Sequence, residues 1–345
     1  MFTPSFTITN RLLANIKRIN SLITELNTPH FPNIVLMELE RMARAVSTHA
    51  STSIEGNPLP LTEVKKILKF RPSNIRDSEL EIVNYNKALE DLNKQLNQGS
   101  FELTLELILS IQKKITDKLL SPVDSGSLRH KPVVVNDPRT GKIVFLPPDV
   151  KDVLPMMKDI IIFVNTNRKT IDPLILAGIF HKQMVIIHPF MDGNGRTTRL
   201  ATKILLAAIG LNTFHLFSFE NYYNKNVTKY FQTVGEYGDY YELKDKVDFT
   251  PWLEYFTDGI IDEVLRVKKL LPEAARTPQT KLQPYHDAIL KHIQENGYII
   301  DREYAKLTDR AKATRTLDFH KLLELQMIER KGKGKATYYI LKNSN

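Results

Sequence analysis

A chain of 345 residues that is 42% apolar and 25% charged is long enough to bury the cores of two or three globular domains. It contains no cysteine, which excludes disulfides, thiolate metal sites and cysteine nucleophiles. A net charge of +9 suits anionic partners. No apolar run reaches membrane-spanning length and the first residues lack a charged-then-apolar leader pattern, so the expectation is a cytoplasmic protein with no membrane contact.

Apolar residues at Leu12, Leu13, Ile16, Ile19, Leu22, Ile23 and Leu26 predict a helix over about Thr9 to Thr28, broken around Pro29 to Asn33. A second helix is predicted from about Ile34 to Ile54. It ends in Ser51-Thr52-Ser53-Ile54-Glu55-Gly56-Asn57-Pro58, with Gly56 as C-cap and Pro58 as breaker. Glu55 then stands at the negative end of its helix with no cation at i−3 or i−4. Either it is a solvated carboxylate, losing roughly a few tenths of a kcal/mol, or an arginine elsewhere in the fold answers it. Helices follow over Thr62 to Lys69, Asp77 to Leu96 and, past a break at Gly99-Ser100, Leu103 to Leu120.

Two β-branched runs, Val133-Val134-Val135 and Ile143-Val144-Phe145, flank an Asp137-Pro138-Arg139-Thr140-Gly141 turn and predict a hairpin, the only clear strand signal before residue 270. A lone hairpin on a helical protein is either a surface decoration or an unpaired edge that accepts another chain's backbone.

Leu174 to Ile187 is spaced like a buried helix, and Leu200 to Ile209, ended by Gly210, like another. Between them runs His188-Pro189-Phe190-Met191-Asp192-Gly193-Asn194-Gly195-Arg196-Thr197-Thr198-Arg199. The first amides of the second helix have no partners within it and carry the positive end of its dipole, so they suit an anion. Gly193 and Gly195 permit close approach, and Arg196 and Arg199, three apart, can fork onto successive phosphates. Asp192 is a hard oxygen ligand for magnesium, and His188 can accept a proton near neutral pH. Each residue alone has a plainer reading as a turn, a core histidine or a solvated face. As one run between two apolar helices they supply what nucleotidyl or phosphoryl transfer requires.

Phe214 to Asp239 is crowded with aromatic residues, most of which read as core. Pro251-Trp252-Leu253 opens a last helix to about Leu271, and Pro272 to Pro284 reads as a linker. The remainder predicts helices over His286 to Gln294, Arg302 to Leu307 and Ala311 to Leu323. A hairpin follows with a basic tip, Lys331-Gly332-Lys333-Gly334-Lys335. From residue 281 onward Lys and Arg number 13 and Asp and Glu 8. Lysines at such a tip suit phosphate contacts, and Arg315 is a candidate to face a groove.

The central run resembles the signature of Fic-domain proteins, H-x-F-x-[DE]-G-N-G-R-x-x-R, at every defined position. The resemblance extends over Ala177 to Gln183 and Gly126 to Pro148, and more loosely to about residue 265. It implies a mainly α-helical Fic-type core with a β-hairpin flap, and an enzyme that transfers AMP from ATP, with Mg2+ or Mn2+, to a hydroxyl side chain of a protein. By position, His188 would be the base and Asp192 the metal ligand. Gly193, Asn194 and Gly195 would line the anion hole, with Arg196 on the α/β-phosphates and Arg199 on the γ-phosphate. Tyr230, in Tyr230-Phe231, resembles the family's aromatic position near adenine. The target would dock on the 133–146 hairpin, and self-modification is also implied.

Ser51, Glu55 and Gly56 match the family's inhibitory motif [ST]-x-x-x-E-[GN], whose glutamate would hold Arg199. The tail resembles a winged helix-turn-helix, a module for DNA or for a protein target. The implied domains are 1–100 with the inhibitory helix at about 34–56, a catalytic core at 101–271, a linker at 272–284 and a winged helix at 285–345. Two alternatives stand beside AMP transfer: a de-AMPylating enzyme that uses Glu55, and a nucleotide-sensing regulator that binds DNA. An oligomer is compatible with each.

Overall fold

The computed structural model of the chain describes residues 2–28, 33–70, 75–96, 102–136, 141–274, 282–325 and 327–342. Helix α1 (Asn10–Asn27) begins where the Thr9 hydroxyl accepts from the Leu12 amide at 3.1 Å. Leu12, Ile19, Leu22, Ile23 and Leu26 are buried along one stripe. Leu13, expected among them, is 42% exposed, because its place next to Leu12 turns it about 100° off that stripe.

Helices α2 (Asn33–Ile54), α3 (Leu61–Phe70), α4 (Asp77–Leu96) and α5 (Leu105–Ile115) follow. The last is shorter than the expected span to Leu120. The Thr116 hydroxyl donates back to the Gln112 carbonyl at 2.8 Å, and Lys118 takes a left-handed φ of 59°, which ends the helix. The breaks expected around Pro29 to Asn33 and at Gly99-Ser100 fall mostly or wholly on residues outside those described.

Strands β1 (Val135–Asn136) and β2 (Ile143–Leu146) pair antiparallel, Val135 opposite Phe145 and Asn136 opposite Ile143. All of the intervening turn except Gly141 lies outside the described residues. Helix α6 (Val150–Asn167) has no counterpart in the sequence reading; Pro155, inside it, disguises the helical pattern. Helix α7 (Pro173–Ile187) starts at Asp172, whose carboxylate accepts from the Leu174 amide at 2.8 Å, with Pro173 as the first helical residue. It is buried nearly all round and packs on α6 and on α8 (Asn194–Leu206), which in turn packs on α4 and α5. The loop between α7 and α8 is thereby held from several sides.

Helices α9 (Glu220–Lys225) and α10 (Val227–Val234) lead to β3 (Gly238–Asp239), α11 (Tyr240–Leu243) and α12 (Thr250–Ala274). In α12 the buried Trp252 donates its indole N–H to the Gly178 carbonyl at 2.8 Å. Strand β3 corrects the expectation of a lone hairpin. It pairs parallel with β2, Phe145 opposite Gly238 and Leu146 opposite Asp239, so within the hairpin the unpaired edge is that of β1. A two-residue strand beside a glycine carries no periodic signal.

The described residues divide into two compact units, one within 1–29 and 42–267, the other within 30–41 and 268–345. Within the first unit α4 packs on α5 and α8.

The second unit contains α13 (Pro284–Asn296), α14 (Asp301–Leu307), α15 (Lys312–Glu324), β4 (Ile328–Lys331) and β5 (Tyr338–Leu341). Its core is Ile289, Ile293, Ile299, Tyr304, Phe319, Leu322 and Ile328. The strands pair antiparallel, and an Ile299–Tyr339 bridge extends them. Most of the expected linker lies outside the described residues. Arg315 is bonded within the unit: its Nε and Nη2 donate to the Asp301 carboxylate at 2.9 Å each, and its Nη1 donates to the Arg310 carbonyl. Among the described residues no helix is long and apolar enough to cross a membrane.

Candidate active site

His188 is the left-handed cap of α7, at φ 49°, its amide bonded to the Met184 carbonyl. That conformation turns the chain out of the helix and leaves the imidazole half-buried at the start of the loop. Desolvation pushes its pKa down to about 4, against the smaller opposing effects of the Val185 carbonyl and the Glu55 charge. The ring is therefore neutral, and able to take a proton, throughout the physiological range.

The loop is built by its own residues. The Asn194 side chain spans it, donating to the Phe190 carbonyl and accepting from the Phe190 amide at 2.9 Å each. With its amide group engaged in this way, the backbone N–H of Asn194 is held in place at the start of α8. Gly193, at φ 81°, caps α8, and the first backbone bond of that helix runs from Thr197 N–H to the Gly193 carbonyl. The N–H groups of Asn194, Gly195 and Arg196 thus have no carbonyl partner within the helix. Gly195 permits a close approach: a Cβ there would lie 2.1 Å from Glu55 Oε1 and 2.9 Å from Arg199 Nη1.

Asp192 accepts from the Gly193 amide at 2.6 Å and from Arg196 Nη2 at 2.9 Å, and its side chain is 55% exposed. Arg196 also pairs through Nη1 with Glu81 Oε1 at 2.5 Å, while its Nε has no partner among the described residues. Arg199 is fully buried against the end of α2. Its Nε donates to Ser51 Oγ at 2.7 Å, and its Nη2 donates to the Ser51 carbonyl at 2.8 Å and to Glu55 Oε1 at 2.7 Å. Burial alone would lower its pKa, but Glu55, Tyr230 and Tyr85 more than compensate and raise it. Its Nη1 has no partner among the described residues. Gly56, at φ 95°, ends the turn that carries Glu55 to this contact.

Of the residues singled out from the sequence, Ser51, Glu55, Gly56, His188, Asp192, Gly193, Asn194, Gly195, Arg196 and Arg199 lie at or beside this loop. Tyr230 is a correction. It is 1% exposed, stacks on Tyr223 at 4.7 Å between ring centres, and its hydroxyl meets His181 Nε2 at 3.0 Å. It belongs to the aromatic core and offers no open face to a base.

Three residues at the loop escape the sequence reading. Arg129, 3% exposed, donates from Nε to the His188 carbonyl at 2.9 Å, while its backbone amide bonds the Pro189 carbonyl at 2.8 Å. Gln112 donates to the Asp192 carbonyl at 3.2 Å. Glu81 accepts from Arg196 and, at 2.6 Å, from Asn57 Nδ2. Arg129 lies in the segment Gly126 to Pro148, but beside His130 and Lys131 it reads as one of a surface cluster of cations. Nothing separates Glu81 from its neighbour Glu79 in the sequence.

Three carboxylates thus face two guanidiniums around unpaired helix amides, an arrangement that a phosphate chain can reorganise. Residues 102–206 match the Fic/DOC family. That segment is similar to a Fic domain. The chain is 29% identical over 201 residues to the protein adenylyltransferase Fic of Drosophila erecta, covering 56% of this chain and 39% of that one. It is 31% identical over 181 residues to the protein adenylyltransferase fic-1 of Caenorhabditis elegans, covering 50% and 34%. The chain thus spans well under half the length of these curated relatives. Two solved structures share the fold. A Fic family protein from Desulfovibrio desulfuricans G20 has a TM-score of 0.66 at 19% identity, over 100% of this chain and 99% of that one. Residues 134–508 of C. elegans Fic-1 have a TM-score of 0.60 at 21% identity, over 76% and 73%.

The donor set also bears on a metal. Among the described residues no three or more His, Cys, Asp or Glu gather as a cation site. Asp192 alone, a hard and exposed carboxylate, fits a magnesium ion that completes its shell with phosphate oxygens and water.

Proposed function

We propose that the protein transfers AMP from ATP to a protein hydroxyl and is held back by Glu55. The observation that carries this reading is the Arg199 guanidinium, bound on two nitrogens by Ser51 and Glu55 beside the free amides of α8. The curated relatives, named protein adenylyltransferases, support ATP as donor and protein as acceptor.

In this reading His188 takes the proton of the target hydroxyl and the oxygen attacks the α-phosphorus. The bond to the β-phosphate breaks, and pyrophosphate leaves. Asn194, Gly195 and Arg196 amides and the Arg196 side chain bear the developing charge. Asp192 would hold a magnesium ion, which screens the phosphates when bound. Glu55 competes with the γ-phosphate for Arg199, so the triphosphate lies unproductively until that contact opens. The target docks along the free edge of β1 in the 133–146 hairpin. The second unit is a winged helix that docks a partner through the exposed Lys331 and Lys333 at its tip, DNA among the candidates.

The test is labelled-ATP transfer by the full chain. Glu55→Gly should raise AMP incorporation, including self-modification, by roughly tenfold or more. Arg199→Ala should stay inactive even with Glu55→Gly, because ATP needs the same guanidinium. Unchanged activity in Glu55→Gly would refute the inhibitory role. Removal of AMP from a modified protein by the parent but not by Glu55→Gly would assign the reverse reaction.

A further inference from the structure

The first signature arginine is occupied in a way the second does not predict. Arg196 splits its two terminal nitrogens between two carboxylates, Nη2 to Asp192 at 2.9 Å and Nη1 to Glu81 at 2.5 Å. The two acceptors differ. The Asp192 side chain is 55% exposed and lies on the loop itself, whereas that of Glu81 is 15% exposed and comes from the rigid α4. Glu81 is fixed in turn by Asn57, whose Nδ2 donates to it at 2.6 Å and to the Ser78 carbonyl at 2.9 Å. Asn57 belongs to the turn that brings Glu55 to Arg199. A carboxylate this far from water is costly unless its cation stays with it.

A guanidinium is a planar fork, so holding one terminal nitrogen fixes the direction of the others. We propose that Glu81 is a positioning residue for Arg196: it grips Nη1 so that Nη2 and Nε are aimed at the phosphate chain once Asp192 is drawn away. The inference rests on the nucleotide reading above and adds the group that sets the geometry of its first arginine. Glu55 and Glu81 then act oppositely. One competes with the nucleotide for a guanidinium, and the other delivers a guanidinium to it.

The test is a double-mutant cycle on Mg-ATP binding, read by calorimetry on the full chain carrying Glu55→Gly. Arg196→Ala should weaken binding by about tenfold or more, the worth of a charge-assisted hydrogen bond. With Glu81→Gln already present, the same change should cost less than about threefold, because the unheld guanidinium contributes little. Glu81→Asp, which keeps the charge but shortens the reach, should erase the Arg196 contribution as well and serves if Glu81→Gln does not fold. Equal losses in both backgrounds would overturn the proposal, as would tighter binding with undiminished Arg196 dependence, which would make Glu81 a second competitor. Coupling without AMP transfer would leave Glu81 in place and remove the transfer reading. Transfer without coupling would do the reverse, and a Glu55→Gly chain that binds no nucleotide would overturn both.

Discussion

The contact between Glu55 and Arg199 depends on an atom that is missing. Gly195 has no Cβ, and a methyl there would overlap Glu55 Oε1 at 2.1 Å. Gly195→Ala should therefore push Glu55 off the arginine and cost about 1–3 kcal/mol of stability, read from the urea midpoint. An unchanged midpoint would mean that the α2 turn gives way freely. His188 carries a second prediction. With its pKa pushed down to about 4, kcat/KM for AMP transfer by Glu55→Gly should hold level from pH 7 to below 6. An acid limb at the ordinary histidine value of 6.5 would contradict a desolvated ring. The stability linkage has the same origin. Below 6.5 the unfolded state takes up a proton that the folded state refuses, so this group destabilises the protein as pH falls toward 4.

At the scale of elements, α2 is held to the core by more than its last turn. Glu220, 1% exposed at the start of α9, accepts from Ser47 of α2 at 2.8 Å and from Tyr85 of α4 at 3.0 Å, with Lys203 of α8 at 3.4 Å. Removing that carboxylate takes the acceptor from two hydroxyls and the paired charge from a buried ammonium, which keeps only its bond to the Phe217 carbonyl at 3.0 Å among those described. Glu220→Ala should cost about 3–5 kcal/mol, measured by denaturant unfolding. The flap makes a different prediction, since β3 already covers one side of β2. Of the two hairpin strands, β1 is the one that keeps an unpaired edge among the described residues, so Asn136→Pro should lower transfer to a partner protein while leaving ATP affinity unchanged. Loss of both together would refute a docking role for that edge.

For the whole molecule, charge and architecture give one further test. The net charge is +9, and the exposed Lys331 and Lys333 stand at the tip of the second unit. If that unit engages nucleic acid, affinity for duplex DNA should fall steeply with salt, and replacing Lys331 and Lys333 by Glu should flatten the slope by roughly two contacts. Binding that ignores both salt and those lysines would point to a protein partner. Arg315 is paired with Asp301 and Lys331 with Glu329 at 2.7 Å, so each would exchange a carboxylate for a phosphate in such a contact.

Much of this protein was legible in order along the chain. Local rules act over a few residues, so the helical stripes of α1 and α4, the two apolar helices around the central loop, and the glycine-rich turn with its arginines could all be read directly. So could the oddity of a carboxylate at the end of α2. The cation that answers it, 144 residues away, could be named only through a family resemblance. Tertiary structure alone decided what depends on distant segments meeting. It buried Tyr230 among other rings, gave β2 a second neighbour in β3, tied Arg315 to Asp301, and chose Glu81 over Glu79 for Arg196. Pairing across space is set by how helices pack, and no spacing within one segment records it.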